Sequence, residues 1–279
     1  MRIQGLIPAI ALTLAFPAQM LRSQPVIPSP QTTYADLADL ALAAPTVISG
    51  TVARVTRLKG EQAAGVAPGH ARLYVQAAVT ALIRAPQGVP GQVSYLVDVP
   101  LDSRGRLPKL KKQQVLLLGQ PVSGRAGEIQ LVAPDAQLPW TPETEATMRA
   151  IVLASTRADA PPRITGIGNA FHVPGSLPGE GETQIFLTTA DHRPVSLNVL
   201  RRPGERPRWA VALSEIVDEA AEPPARDTLL WYRLACFLPQ TLPADALEGA
   251  EPDQIEIART DYRLVIAGLG PCVRNRAVR

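Results

Sequence analysis

Aromatic, histidine and lysine side chains are scarce in this chain of 279 residues. Aromatics make up 4% of it, histidine occurs three times and cysteine twice; of 28 basic residues four are lysine and 24 arginine. So few aromatics leave little with which to stack bases. The formal charge of +3 (about +2 if Arg2 leaves with a leader) is too small a surplus for a nucleic-acid footprint. Nucleic acid is therefore disfavoured as a partner, although the pI near 9 still permits contact with an anionic envelope. The histidines are His70, His172 and His192, and no HxH, HExxH or CxxC spacing is present. Zinc sites draw on such short-range pairs, so no metal ligand and no cofactor is assigned. No G-x-S-x-G elbow occurs, and Gly166-Ile167-Gly168 lacks the third glycine of a dinucleotide loop. After the first residues no apolar run is long enough to span a bilayer.

What is present points first to export. Arg2 precedes an uncharged apolar stretch, Ile3 to Phe16, that is shorter than a membrane span, and Ala18 offers a cleavage position. Phe16 is large for the −3 site and Pro8 interrupts the apolar stretch, so the cut falls at Ala18 or nearer Ser23. A signal peptide is expected over residues 1–23, with a periplasmic or secreted mature protein. In an oxidising compartment Cys236 and Cys272 are expected to pair and tie the C-terminus back.

The 28 prolines lie between apolar runs and read as punctuation. Thr33-Tyr34-Ala35-Asp36 is a capping box for a helix that Pro45 ends. Five strand-like runs follow: Thr46–Leu58, Ala71–Ile83, Gln92–Val99, Gln113–Gly119 and Glu128–Ala133. Gly50 within the first predicts a bulge or tight bend. Thr141 and Pro142 open a second helix, and residues 158–162 (Ala-Asp-Ala-Pro-Pro) mark a boundary. Beyond it come strands at Arg163–Phe171, Thr183–Thr189, Val195–Leu200 and around Trp209–Leu213. A long loop, His172–Gly181, separates the first two. A buried helix Thr228–Leu238, capped by Asp227, follows, and then strands Ile255–Ile257 and Tyr262–Ile266. The expected fold is mainly β: an OB-like five-stranded barrel with flanking helices over 34–157, then a mixed α+β domain over 163–274.

The segments Asp39–Ala44, Val47-Ile48-Ser49-Gly50-Thr51-Val52 and Val79-Thr80-Ala81-Leu82-Ile83-Arg84 resemble secreted netrin-like or metalloprotease-inhibitor-type modules. The resemblance covers Tyr34 to Ala133 and implies an OB-type fold. Those inhibitors chelate the target's metal through an N-terminal cysteine, and this sequence has none before Cys236. That activity does not carry over.

Candidate chemistry is thin. In the second half a Ser-His-Asp arrangement could draw on Ser176 or Ser196, His172 or His192, and Asp191 or Asp227. A metal could draw on His172, Glu180, Glu182 and His192. The carboxylates Asp98 with Asp102, and Glu215 with Asp218 and Glu219, are close in sequence. No catalytic residue is assigned, and an enzyme is the less favoured class. Two basic clusters stand out: Arg104, Arg106, Lys109, Lys111 and Lys112 between the third and fourth strands, and Arg201, Arg202, Arg206 and Arg208 in a later turn. Loops of OB-like barrels commonly carry the binding surface, so the first cluster is the candidate contact with a protein or an anionic envelope polymer. Arg274, Arg276 and Arg279 are expected to fray. The reading is a non-catalytic exported binding protein. The alternative is a hydrolase or metal-dependent enzyme using the His172/His192 region.

Overall fold

Thr33 starts the first helix as its capping box predicts. Its hydroxyl accepts the Asp36 N–H at 3.1 Å, and the Asp36 carboxylate accepts the Thr33 N–H at 2.9 Å. A computed structural model describes residues 32–213 and 222–276. The expected leader, residues 1–23, lies outside the described residues, as do Glu215, Asp218, Glu219 and Arg279.

Helix α1 (Tyr34–Ala43) leads into β1 (Thr46–Arg57), β2 (His70–Arg84) and β3 (Gln92–Pro100), an antiparallel meander. Strand β4 (Gln114–Pro121) pairs with the free side of β1. The short β5 (Ile129–Leu131) and β6 (Gln137–Pro139) both pair with β4. The six-stranded sheet has the order β3-β2-β1-β4-β5. β3 and β5 approach each other in the parallel sense through one bridge, Ser94–Glu128, with the Ser94 N–H bonded to the Gly127 carbonyl at 2.8 Å. No ladder closes the sheet among the described residues. Strand β6 lies outside the five expected runs, being three residues long and ending in proline. Gly50 sits at a register shift, where a Cβ would lie 2.9 Å from the Ala78 carbonyl oxygen.

The start of β1 is buried on both faces because the sheet separates two apolar clusters. Ile48, Val52, Leu73, Val75, Tyr95 and Leu117 fill the inner one. Val47, Leu116 and Leu118 face the other, which α1 and α2 (Pro142–Thr156) cover. On α2, Glu145 accepts the Ser49 hydroxyl at 2.7 Å, the Trp140 indole N–H and the Arg149 guanidinium, so one carboxylate ties helix to sheet.

Strands β7 (Ile164–Pro174), β8 (Gly181–Thr189), β9 (Val195–Arg201) and β10 (Arg208–Ala212) form a four-stranded antiparallel meander. Here three expectations are corrected. The long loop is shorter than expected: β7 and β8 pair out to Pro174 and Gly181, leaving only a turn at 175–180. The Glu180 carboxylate closes that turn by accepting the N–H groups of Ser176 and Leu177. Helix α3 (Leu229–Ala235) is capped by Thr228, whose hydroxyl accepts the Trp231 N–H; Asp227 stands outside it at φ 57°. The two closing strands are instead one helix, α4 (Pro252–Leu269). Pro252 supplies the first turn, and Ala258, Asp261, Tyr262, Val265 and Leu269 recur at helical spacing as its buried face.

Ile185, Leu197, Trp231 and Tyr262 of this second part join Leu37, Leu40 and Met148 of the first in one cluster. The described residues from Thr32 onward form one compact unit. Cys236 and Cys272 form a disulfide, with Cα atoms 5.1 Å apart. The described part of the C-terminal tail is pinned rather than frayed. Arg274 forks onto Asp39, Arg276 forks onto Asp135, and the N–H groups of Asn275 and Arg276 bond the Asp36 carboxylate. Among the described residues no helix is long and apolar enough to cross a membrane.

Candidate functional site

The loop 101–113 must carry the chain from β3, at one edge of the sheet, past β2 and β1 to β4. Its sequence Leu107-Pro108-Lys109-Leu110-Lys111-Lys112 suits that crossing. Leu110 is buried in the inner core and Leu107 packs against it, while Lys109, Lys111 and Lys112 are exposed. The leucines thus join the inner apolar cluster and the lysines face water. Both ends of the loop are fastened by backbone bonds. The Leu101 N–H donates to the Gly69 carbonyl and the Lys112 N–H to the Val52 carbonyl, each at 2.8 Å. Asp102 shapes the first turn. Its carboxylate accepts the N–H groups of Arg104 and Arg106 at 2.9 Å and the Arg106 guanidinium at 2.7 Å, and these bonds hold its pKa below the usual carboxylate value.

The structure adds residues that the sequence did not group with this loop. β1 outruns β4, because β4 pairs only as far as Thr51. Arg54, Arg57 and Lys59 therefore project at the same end, beside the loop. All four lysines of the chain lie there. Of the acids at this end, Asp98 is forked by Arg72 at 2.8 and 2.9 Å and Asp102 is held by Arg106, while Glu61 is exposed. No ion pair is formed by Arg54, Arg57, Lys59, Arg104, Lys109, Lys111 or Lys112 among the described residues. The Arg72 guanidinium also bonds the Ala64 carbonyl, which steadies the β1–β2 turn. The one available sequence signal was topological: if the first and fourth strands pair antiparallel, the end of one meets the start of the other.

The remaining candidates are dispersed. His172 pairs in register with Thr183 at the start of β8, whereas His192 sits in the turn after Thr189, at the opposite end of that strand. Ser176 belongs to the 175–180 turn, and Ser196 lies within β9, where its hydroxyl oxygen accepts from Asn198. Asp191 pairs with Arg193. Glu180 closes its own turn and Glu182 accepts the Gln184 amide, so neither faces a histidine at bonding distance. No group of three or more His, Cys, Asp or Glu side chains converges among the described residues. In the second basic cluster Arg201 is drawn inward to Asp261, Arg208 lies 3.7 Å from Glu205, and Arg202 and Arg206 are exposed.

His172 belongs instead to a buried polar chain that sequence inspection did not foresee. Its Nδ1 lies 2.9 Å from the Thr183 hydroxyl, which donates to Asp261 Oδ2 at 2.5 Å, and Arg201 forks onto the same carboxylate. Thr183 has only one hydroxyl hydrogen and commits it to Asp261, so Nδ1 must be the donor, and in the neutral ring Nε2 carries the lone pair. Burial holds the His172 pKa below its ordinary value, against the opposing pull of the Asp261 charge. The ring packs over Gly181, where a Cβ would fall 2.5 Å from Cε1. This chain docks α4 onto the sheet.

No protein-family model matches the sequence, and no curated protein matches it.

Proposed function

We propose that this is an exported, non-catalytic binding protein whose OB-like first part, residues 34–157, engages a protein or anionic polymer partner of the envelope through the loop 101–113. The α+β part, 163–274, supports it. The observation that carries the reading is the exposed run Lys109, Lys111 and Lys112, with Arg104, held on a loop anchored by Leu107 and Leu110. A positive surface pre-ordered by buried anchors loses less entropy on binding than a free tail. The strand order β3-β2-β1-β4-β5, and the parallel approach of β3 to β5 at Ser94–Glu128, support an OB-like arrangement. Such barrels commonly bind through their loops. The disulfide supports an oxidising compartment, periplasmic or extracellular.

The test is a photo-crosslinking amino acid placed at Lys109 in producing cells, with Arg202 as the control position. A reproducible adduct at Lys109 and none at Arg202 is expected. Absence of any adduct at Lys109 overturns the docking role.

A further inference from the structure

We infer that the partner is a linear polyanion, and that it lies across the loop 101–113 and the β1–β2 turn together. This deepens the proposed function and rests on the loop being a contact surface.

Charge is the first argument. The chain as a whole carries only +3, yet this end gathers all four lysines with Arg54, Arg57 and Arg104. Its acids Asp98 and Asp102 are each matched by their own arginine, Arg72 and Arg106. Among the described residues of this end, Glu61 alone remains to balance the other ammonium and guanidinium groups. Two fastened loops hold them side by side through Leu101–Gly69 and Lys112–Val52. Such a surface lowers its own repulsion by taking up closely spaced anions and releasing their counterions.

What the end lacks selects the kind of polyanion. No Phe, Tyr or Trp occurs in 53–70 or 101–113, so bases would find nothing to stack on, which disfavours single-stranded nucleic acid. Among the described residues Leu96 on β3 is the exposed large apolar side chain nearest this end, and Leu153, Leu177 and Phe186 lie elsewhere, so no apolar patch here would enter a bilayer. Cores of protein interfaces are depleted in lysine and built on aromatic or aliphatic anchors, whereas the leucines here point inward. A lysine ammonium acts as a compact point charge without the planar fork that arginine presents, so it suits a chain of repeated anions more than one shaped site.

Labelled inorganic polyphosphate titrated with the full mature protein at several salt concentrations tests this. Binding is expected at about 50 mM salt, with log K falling linearly with log salt. Neutralising Lys109, Lys111 and Lys112 together as glutamine should weaken binding by about tenfold or more. The salt slope should flatten by about 2, at roughly 0.7 for each phosphate left without its lysine. Arg57→Gln with Lys59→Gln should also weaken binding, by several-fold, while Arg202→Gln with Arg206→Gln leaves it unchanged. All these side chains are exposed, and an unaltered melting temperature checks the fold of each variant. If the Arg57/Lys59 variant binds as tightly as the parent, the two-loop surface is wrong, although a Lys109 adduct would still stand. If polyphosphate fails to bind at low salt, or anionic phospholipid vesicles bind equally well, the linear-polyanion assignment is overturned.

Discussion

At the scale of single residues, the buried polar groups decide how the protein responds to pH. Burial favours the neutral form of His172, which donates through Nδ1 to Thr183 and faces the charges of Asp261, Arg201 and Asp253. Its folded pKa lies below the unfolded value of about 6.5. The unfolded chain therefore binds more protons between those two values, and stability rises with increasing pH there. The contribution is complete above about pH 6.5 and is lost as the pH drops from there through the folded-state pKa. Urea unfolding at pH 7.5 and pH 5.5 should show this loss in the parent protein. His172→Gln should remove that part of it, and an identical pH dependence in the two proteins would refute the assignment. Glu145 acts lower on the scale. Hydrogen bonds from Trp140 and Ser49, with Arg149 alongside, bring its pKa down to about 2. Its contribution is present above about pH 4.5 and lost as the pH falls through about 2. Glu145→Ala leaves the buried Ser49 hydroxyl and the Trp140 indole without their acceptor and should cost about 1–3 kcal/mol at neutral pH, read from the urea midpoint.

At the scale of elements, what was legible in the sequence is what local chemistry writes. The capping box at Thr33–Asp36, the Thr141–Pro142 start of α2 and the period-two runs of the first sheet are local signals, and those elements fall within two residues of their expected ends. The bulge at Gly50 was legible for the same reason, since only a residue without Cβ fits under the Ala78 carbonyl. Gly50→Ala should therefore cost about 1–3 kcal/mol of overpacking, measurable as a lowered melting temperature. The misreadings are of another kind. Ile255–Ile257 and Tyr262–Ile266 are rich in β-formers, but the buried Asp261 between them is meaningful only once Arg201 and Thr183 are opposite it. The flanks of the expected long loop, residues 172–174 and Gly181, became strand because β7 and β8 pair out to them, a pairing no local window contains. The lysine-rich end shows both cases. Lys109, Lys111 and Lys112 were visible as a cluster, whereas Arg54, Arg57 and Lys59 joined them through β1 overrunning β4. The tail 271–276 behaves similarly. Arg274 and Arg276 read as loose ends until Asp39 and Asp135 meet them.

At the scale of the whole molecule, that tail and the shared core make distant parts depend on one another. The Cys236–Cys272 bond anchors the tail on α3, and the tail in turn holds Asp36 and Asp39 of α1. Cross-linking this loop contributes about 4 kcal/mol by the chain-entropy estimate. Replacing both cysteines with serine should lower stability by roughly that amount. It should also speed amide exchange in the first turn of α1, far along the sequence from either sulfur; unchanged exchange there would show that the tail does not restrain the helix. The apolar faces of α1 and α2 have no core of their own. Leu37, Leu40, Met148 and Ile151 bury against the same cluster that holds Trp231, Leu234 and Tyr262. The division at residues 158–162 is thus a change of sheet within a continuous core, and separating the parts would expose that seam to water. Thermal unfolding should then be a single transition, with tryptophan fluorescence and far-ultraviolet circular dichroism giving one midpoint. Trp140 reports on the first part, Trp209 and Trp231 on the second. Two resolved transitions would instead mean that 34–157 and 163–274 hold their folds independently, and that the cluster between them adds little to either.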